Sequence, residues 1–214
     1  MALTLRDHNT LSEELGLPPV YRGAVISVHG MRSRGTWQKD LGPCLQDAGI
    51  RHVAVDYGMV LAGALMRRTP RRIGEKILAA YEEQLAHHPR PSAIGHSLGS
   101  LAIGWSLLRW TDLVLKRVIL FGSILSREYP WPEVAGRGQV DCVLNEVGRN
   151  DLWPKVAAVC VPDSGQSGCK GFLNADKIVL EREYPRAGHS DLEYRLHYKR
   201  VWIPFLRGMG TATG

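Results

Sequence analysis

Ser92-Ala93-Ile94-Gly95-His96-Ser97-Leu98-Gly99 is the stretch on which the reading of this chain turns. A short, mostly apolar run, Ser92–Gly95, reads as a strand. A helical pattern follows from Leu98 to about Trp110. Between them sits G-x-S-x-G, Gly95 to Gly99. A sharp strand-to-helix turn forces the central serine into a strained backbone, and a side chain at either glycine would strike neighbouring backbone. The turn is expected to push the Ser97 hydroxyl into the open. It also aims the free N–H groups and positive dipole end of the helix at a reacting atom.

Working outward, apolar runs alternate with helical patterns, with no internal repeat, low-complexity tract or linker. Val25–Val28 is a β-branched run of the kind buried on both faces of a parallel sheet. Thr36 is a candidate cap for a helix from Trp37 to Asp47. Arg51–Val55 is a second strand. Pro70 begins a long helix with Ile73, Ile77, Leu78, Tyr81 and Leu85 on one face. The strand at Ser92 is the third. Arg117–Phe121, Val140–Asn145 and Lys177–Glu181 are the fourth, fifth and sixth, and a closing helix spans about Asp191 to Leu206, bent or ended near Pro204. Strands alternating with helices give an α/β fold: a mostly or wholly parallel sheet of about six strands, flanked by helices on both faces. One domain over 1–214, with its core at about 21–206, is expected.

Composition excludes other classes. Hydrophobic residues make up 44% and charged residues 22%, ordinary for a globular chain and unlike a disordered or collagen-like one. No apolar run reaches the ~20 residues of a membrane span. Met1–His8 lacks a basic, then apolar, leader, so a cytoplasmic location is expected. Cys44, Cys142, Cys160 and Cys169 form no C-x-x-C, and reduced thiols are expected, with Cys160 and Cys169 the pair to watch. Lys+Arg 27 against Asp+Glu 21 leaves +6, which favours an anionic surface or substrate. The densest basic cluster, Arg67, Arg68, Arg71, Arg72 and Lys76, has no interleaved aromatics. It reads as a solvated face, so no nucleic-acid partner is expected.

Function in a parallel sheet gathers at the carboxyl ends of the strands. A serine nucleophile needs a base held in one tautomer by a carboxylate, in the chain order serine, acid, histidine for this kind of turn. Asp151, in Gly148-Arg149-Asn150-Asp151, and His189, in Gly188-His189, both follow strands. Glu146 competes with Asp151 for the acid role. Asp141 comes too early, and Asp191 reads as a helix-start residue. His87 and His88 lie at the wrong edge of the sheet, while His29, His96 and His197 read as packing or bracing residues. An oxyanion needs two backbone N–H groups. That of Leu98 is one; the loop His29-Gly30-Met31-Arg32-Ser33 offers Met31 as the other. Tyr129-Pro130-Trp131-Pro132 could form a small flap, and Trp131 and Trp153 are candidate substrate contacts. The loop from Pro162 to Gly171 reads either as a pocket border or as a tight structural loop.

His29-Gly30, the Gly95–Gly99 elbow, Gly148–Asp151 and Gly188-His189, in this order, resemble the α/β-hydrolase superfamily over about residues 21–206. The resemblance implies a Ser97/Asp151/His189 triad with the Met31 and Leu98 N–H groups as oxyanion donors. It implies the strand order second, first, third, fourth, fifth, sixth. Six strands and no inserted cap after the fourth place the likeness with the compact lipase- and esterase-like members. An uncapped site is expected to be shallow and open, suited to a small-molecule or lipid-like acyl substrate, with no metal or cofactor. The leading expectation is hydrolysis of a carboxylic ester or thioester through an acyl-serine. The rivals are an acyltransferase using the same residues and a non-catalytic binding module on the same scaffold.

Overall fold

The structure is a computed structural model and describes residues 21–31, 35–58, 69–175 and 177–209. Residues Met1–His8, Arg32, Ser33, Arg67 and Arg68, on which some of the expectations above rest, lie outside the described residues. Six strands form one sheet: β1 Ala24–Val28, β2 Arg51–Val55, β3 Ser92–His96, β4 Leu115–Phe121, β5 Val140–Gly148 and β6 Val179–Tyr184. Their order is β2-β1-β3-β4-β5-β6, as the resemblance implied, and every pairing is parallel, within the mostly or wholly parallel sheet expected from the pattern.

Successive side chains on a strand point to opposite faces, so each inner strand feeds two cores. Ile26, Ala93, Val118, Leu120 and Val143 pack on one face beneath α2 (Thr69–Leu85) and α3 (Leu98–Arg109). Their neighbours Val25, Ile94, Ile119, Phe121 and Leu144 pack on the other face. There they meet α1 (Thr36–Asp47) and the final helix, α7 (195–206). Three short helices, α4 (Trp131–Gly136), α5 (Trp153–Cys160) and α6 (Ser167–Lys170), decorate the connections. α7 opens at Arg195–His197, passes through a π-helical turn at Tyr198–Trp202 and closes at Ile203–Leu206.

Local details depart from the sequence reading. Thr36 is the first helical residue of α1, not its cap; Gly35 takes that place with a φ of 64° and no side-chain cap bond. β6 begins at Val179 rather than Lys177 and runs past Glu181, its register with β5 extending from Val143↔Val179 to Gly148↔Tyr184. α7 begins at Arg195 rather than Asp191, since the preceding residues form a turn in which the Asp191 carboxylate accepts from Gly188 N–H at 2.8 Å. Leu85 is exposed at the end of α2. All four cysteines are free thiols; Cys160 is exposed and Cys169 buried.

The Pro162–Gly171 loop is a tight structural loop. The N–H groups of Gly165, Ser167 and Gly168 donate to the carbonyls of Ile124, Leu125 and Ser123. A Cβ at Gly165 would lie 2.6 Å from Ser126 Cα, so the two segments touch backbone to backbone. No described helix is long and apolar enough to cross a membrane. A cavity of about 750 Å³ opens at the amino-terminal edge of the sheet, lined by Arg22, His87, His88, Arg90 and Lys116 among others. It lies at the opposite end of the strands from Ser97.

Candidate functional site

Parallel register brings the carboxyl ends of β1, β3, β4 and β5 together, with Val28 opposite Gly95, His96 opposite Phe121, and Phe121 opposite Glu146. Ser97 follows β3 and precedes α3, with φ 50° and ψ −117°. A non-glycine residue held there carries roughly 1–3 kcal/mol of backbone strain, offset by its surroundings. The surroundings explain both glycines of the elbow. A Cβ on Gly95 would sit 2.9 Å from Ser100 Cα, and one on Gly99 would collide with the Val28 carbonyl. The Ser97 carbonyl accepts from Ser100 N–H at 3.0 Å and Ser100 Oγ at 2.6 Å. Behind it runs a buried hydroxyl ladder. Ser167 Oγ donates to Ser123 Oγ at 2.9 Å, and Ser123 Oγ to Ser100 Oγ at 3.1 Å. Nothing in the sequence pattern singles these serines out.

The Ser97 side chain is not in the open. It is 1% exposed, and its Oγ is buried with no hydrogen bond. This overturns the expectation that the turn pushes the Ser97 hydroxyl into the open.

Asp151 and His189 meet. His189 Nδ1 lies 2.7 Å from Asp151 Oδ2. A carboxylate only accepts, so Nδ1 carries the hydrogen and Nε2 presents a lone pair. Asp151 is buried, and its other oxygen accepts from Trp153 N–H at 2.9 Å. Asn150 N–H donates to the Ala187 carbonyl at 3.1 Å, which ties the acid loop to the histidine loop. The His189 side chain, 26% exposed, rests on Gly122, on Trp153 (ring centroids 6.1 Å apart) and on His96 (4.6 Å). Gly122 has φ 51°, and a Cβ there would lie 2.9 Å from both Cε1 and Nδ1 of the ring. Its place directly after a strand end is the signal that could have marked it as part of the site.

The loop after β1 also reaches the elbow. A Cβ on Gly30 would lie 2.8 Å from Ser97 Cβ. His29 braces this loop, as expected. Its Nδ1–H donates to Gly30 O at 2.9 Å, and its ring stacks on Tyr57 at 4.0 Å. Tyr57 OH returns a hydrogen bond to His29 O at 2.7 Å, and burial, reinforced by Asp56, pushes its phenol pKa up. Met31 is half-buried against the core, and Leu98, first residue of α3, is buried. The N–H of Leu98 belongs to the first helical turn, where no intrahelical acceptor exists.

Other candidates lie elsewhere. Glu146 faces away from His189, fully buried. It accepts from His197 Nε2 at 2.9 Å, Trp202 Nε1 at 2.7 Å and Tyr184 OH at 2.8 Å. Asp141 pairs with Arg90 at 2.6 Å. Trp131 is 0% exposed and packs in the core against Tyr129 and Phe172, so it is a core residue and not a substrate contact. Aromatic residues beside prolines look like a flap in sequence, yet this one fills the layer beneath β5. Trp153 does reach the site. Glu193, not anticipated as part of the site, stands beside His96, with Oε1 3.4 Å from Nδ1. Among the described residues, no group of three or more His, Cys, Asp or Glu side chains could hold a metal ion.

No family model and no curated relative matches the chain. Solved structures do. The chain is similar to an esterase from Exiguobacterium antarcticum, with TM-score 0.59 and 14% identity over 88% of this chain and 93% of that one. It is similar to a highly thermostable carboxyl esterase from Bacillus coagulans, with TM-score 0.59 and 15% identity over 89% and 91%. It is also similar to epoxide hydrolase A from Mycobacterium thermoresistibile, with TM-score 0.59 and 14% identity over 88% and 93%. At such identities the likeness is one of architecture: the chain has the α/β-hydrolase fold.

Proposed function

We propose that this protein is a serine hydrolase that cleaves a carboxylic ester or thioester through an acyl-serine intermediate. The observation that carries the reading is the 2.7 Å contact from His189 Nδ1 to buried Asp151, at the same carboxyl edge of the sheet as a serine held at a strained strand-to-helix turn. His189 Nε2 takes the Ser97 proton as Oγ attacks the carbonyl carbon, and a tetrahedral oxyanion forms. The N–H groups of Met31 and Leu98 hold it. Its collapse expels the alcohol or thiol, which takes the proton back from His189. Water, deprotonated by His189, then attacks the acyl-serine and releases the acid. Asp151 keeps Nδ1 protonated and stabilises the imidazolium. The reaction as written uses no metal or cofactor.

Ser97 Oγ makes no hydrogen bond in the resting structure. Serine–histidine contacts in unliganded sites are often loose and tighten when substrate binds. The same burial supports a second reading. A nucleophile kept from water suits an acyltransferase, whose acyl-serine must outlast hydrolysis until an alcohol or amine arrives. A panel of p-nitrophenyl esters of rising acyl length, with and without a primary alcohol acceptor, tests both. Hydrolysis at a rate indifferent to acceptor, lost by at least about 10⁴-fold in Ser97→Ala, is the expected result. Acceptor-dependent turnover would favour transfer. Turnover undiminished in Ser97→Ala would end both readings.

A further inference from the structure

A second acid–histidine contact lies directly behind His189, and the reaction above does not use it. His96 is buried, stacked on Phe121 with centroids 4.5 Å apart and 4.6 Å from the His189 ring. Its Nε2 lies 3.1 Å from the backbone carbonyl of His189. A carbonyl only accepts, so Nε2 carries the hydrogen. The other ring nitrogen, Nδ1, is buried without a hydrogen bond, and Glu193 Oε1 faces it at 3.4 Å.

Two bare lone pairs facing one another in a buried site are unfavourable. Either the ring is neutral and faces a protonated carboxyl, or it is an imidazolium facing a carboxylate; each arrangement has one proton between the two groups. The surroundings favour the first. Burial, followed by the nearby His189, holds the His96 pKa well below the ordinary histidine value, and burial raises that of Glu193 against the opposing pull of a hydrogen bond with the Ser190 side chain and of the nearby His189.

We propose that Glu193 is a positioning residue: by keeping a proton between its carboxyl and His96 Nδ1, it fixes the His96 ring so that Nε2–H pins the His189 backbone. The inference rests on the serine-hydrolase reading for its catalytic consequence. Two further contacts support it. Glu193 is anchored to the same turn as the histidine it serves, its N–H donating to Ser190 O at 3.2 Å. The His96 ring also borders the loop after β1, where a Cβ on Gly30 would lie 3.0 Å from Nδ1. One ring therefore touches both the turn that carries the proposed base and the loop that carries a proposed oxyanion donor. No proton leaves the pair during turnover; its part is geometric.

The test compares Glu193→Gln with Glu193→Leu. Glutamine keeps an N–H that can donate to Nδ1, while leucine fills similar space and offers no donor. With a p-nitrophenyl ester as probe, Glu193→Gln should keep kcat within about threefold of wild type, and Glu193→Leu should lose about tenfold or more in kcat with little change in KM, since modest misplacement of a reacting group costs up to about 10². Melting temperatures of both variants, read alongside, establish that the compared proteins are folded. The ¹⁵N chemical shifts of His96 give a readout independent of substrate. Nδ1 should be hydrogen-bonded or protonated in wild type and Glu193→Gln, and bare in Glu193→Leu. Full activity in Glu193→Leu, equal damage in both variants, or a bare Nδ1 in wild type would each overturn the proposal. If wild type itself turned over no ester, the hydrolase reading would fail, and the His96 shifts would still decide whether the proton is shared.

Discussion

Among the described residues, the fully buried carboxylates Glu146 and Asp151 each meet a histidine, and they differ in what the histidine has left to offer. Glu146 is closed. Its oxygens take hydrogens from His197, Trp202 and Tyr184, and both partners of the pair are inaccessible to solvent. Asp151 holds His189 by Nδ1 alone and leaves Nε2 with its lone pair, on a ring that is partly exposed. A buried acid–histidine pair is therefore no mark of function by itself. What sets the Asp151–His189 pair apart is a ring nitrogen left unused, at the edge of the sheet where Ser97 holds its strained turn.

The largest effect should come from treating the two acids alike. Asp151→Asn permits the wrong His189 tautomer and should lower kcat by about 10⁴ while leaving the melting temperature nearly unchanged. Glu146→Leu should do the reverse. It strands two buried donors, His197 and Trp202, and the half-buried Tyr184 hydroxyl; at about 1–3 kcal/mol for each buried donor the expected loss of stability is about 2 kcal/mol or more, with ester turnover per folded molecule retained. Denaturant unfolding and steady-state kinetics on both variants separate the roles; matching profiles would dissolve the distinction.

Gly122→Ala probes the seat of the free ring rather than its partner. The new methyl would stand 2.9 Å from the His189 ring at a backbone φ of 51°. A displaced base of this kind should cost on the order of 10² in kcat and about 1 kcal/mol of stability. Unchanged kinetics would mean that His189 does not work from this position.

A third histidine sharpens the comparison from the other side. His52 has a hydroxyl for a partner: Ser27 Oγ, 2.7 Å from its Nε2, which accepts from Gln38 Nε2 at 2.8 Å and so has its own hydrogen free for the ring. Burial lowers its pKa from 6.5 to about 4. The unfolded chain protonates this ring near pH 6.5, the native one only near 4. Between those values the unfolded state binds the extra proton, so stability falls as pH falls. The drop should be about 2 kcal/mol, damped by the ring's partial exposure at the edge of the sheet. Melting curves from pH 7 to 4 should be flatter for His52→Gln; equal slopes would remove His52 as the cause.

Much of this architecture was legible in the residues because parallel strands impose a strong signal. Val25–Val28, Ser92–Gly95 and Val118–Phe121 are short runs buried on both faces, and their alternation with helices left few possible topologies. The turn at Gly95–Gly99 was legible for a steric reason, since only glycine fits against Ser100 and Val28. What was not legible depends on contacts distant in sequence. Burial of Ser97, the core position of Trp131 and the approach of Glu193 to His96 each depend on how separate segments pack over the sheet. The choice of Asp151 over Glu146 came from the resemblance rather than from the residues alone. Both lie near the carboxyl end of β5, and only the direction of the side chain, inward to His197 or outward to His189, tells them apart.

The central claim is that Ser97 is activated by His189. It is tested most directly by treating the folded protein with a fluorophosphonate and locating the adduct by peptide mass spectrometry, beside Ser97→Ala and His189→Ala. The account predicts a single phosphonylated peptide with the modification on Ser97, absent from the serine variant and slowed by at least about 10³-fold in the histidine variant. A folded wild-type protein that stays unlabelled, or labelling of Ser97 that is as fast without His189, would contradict it.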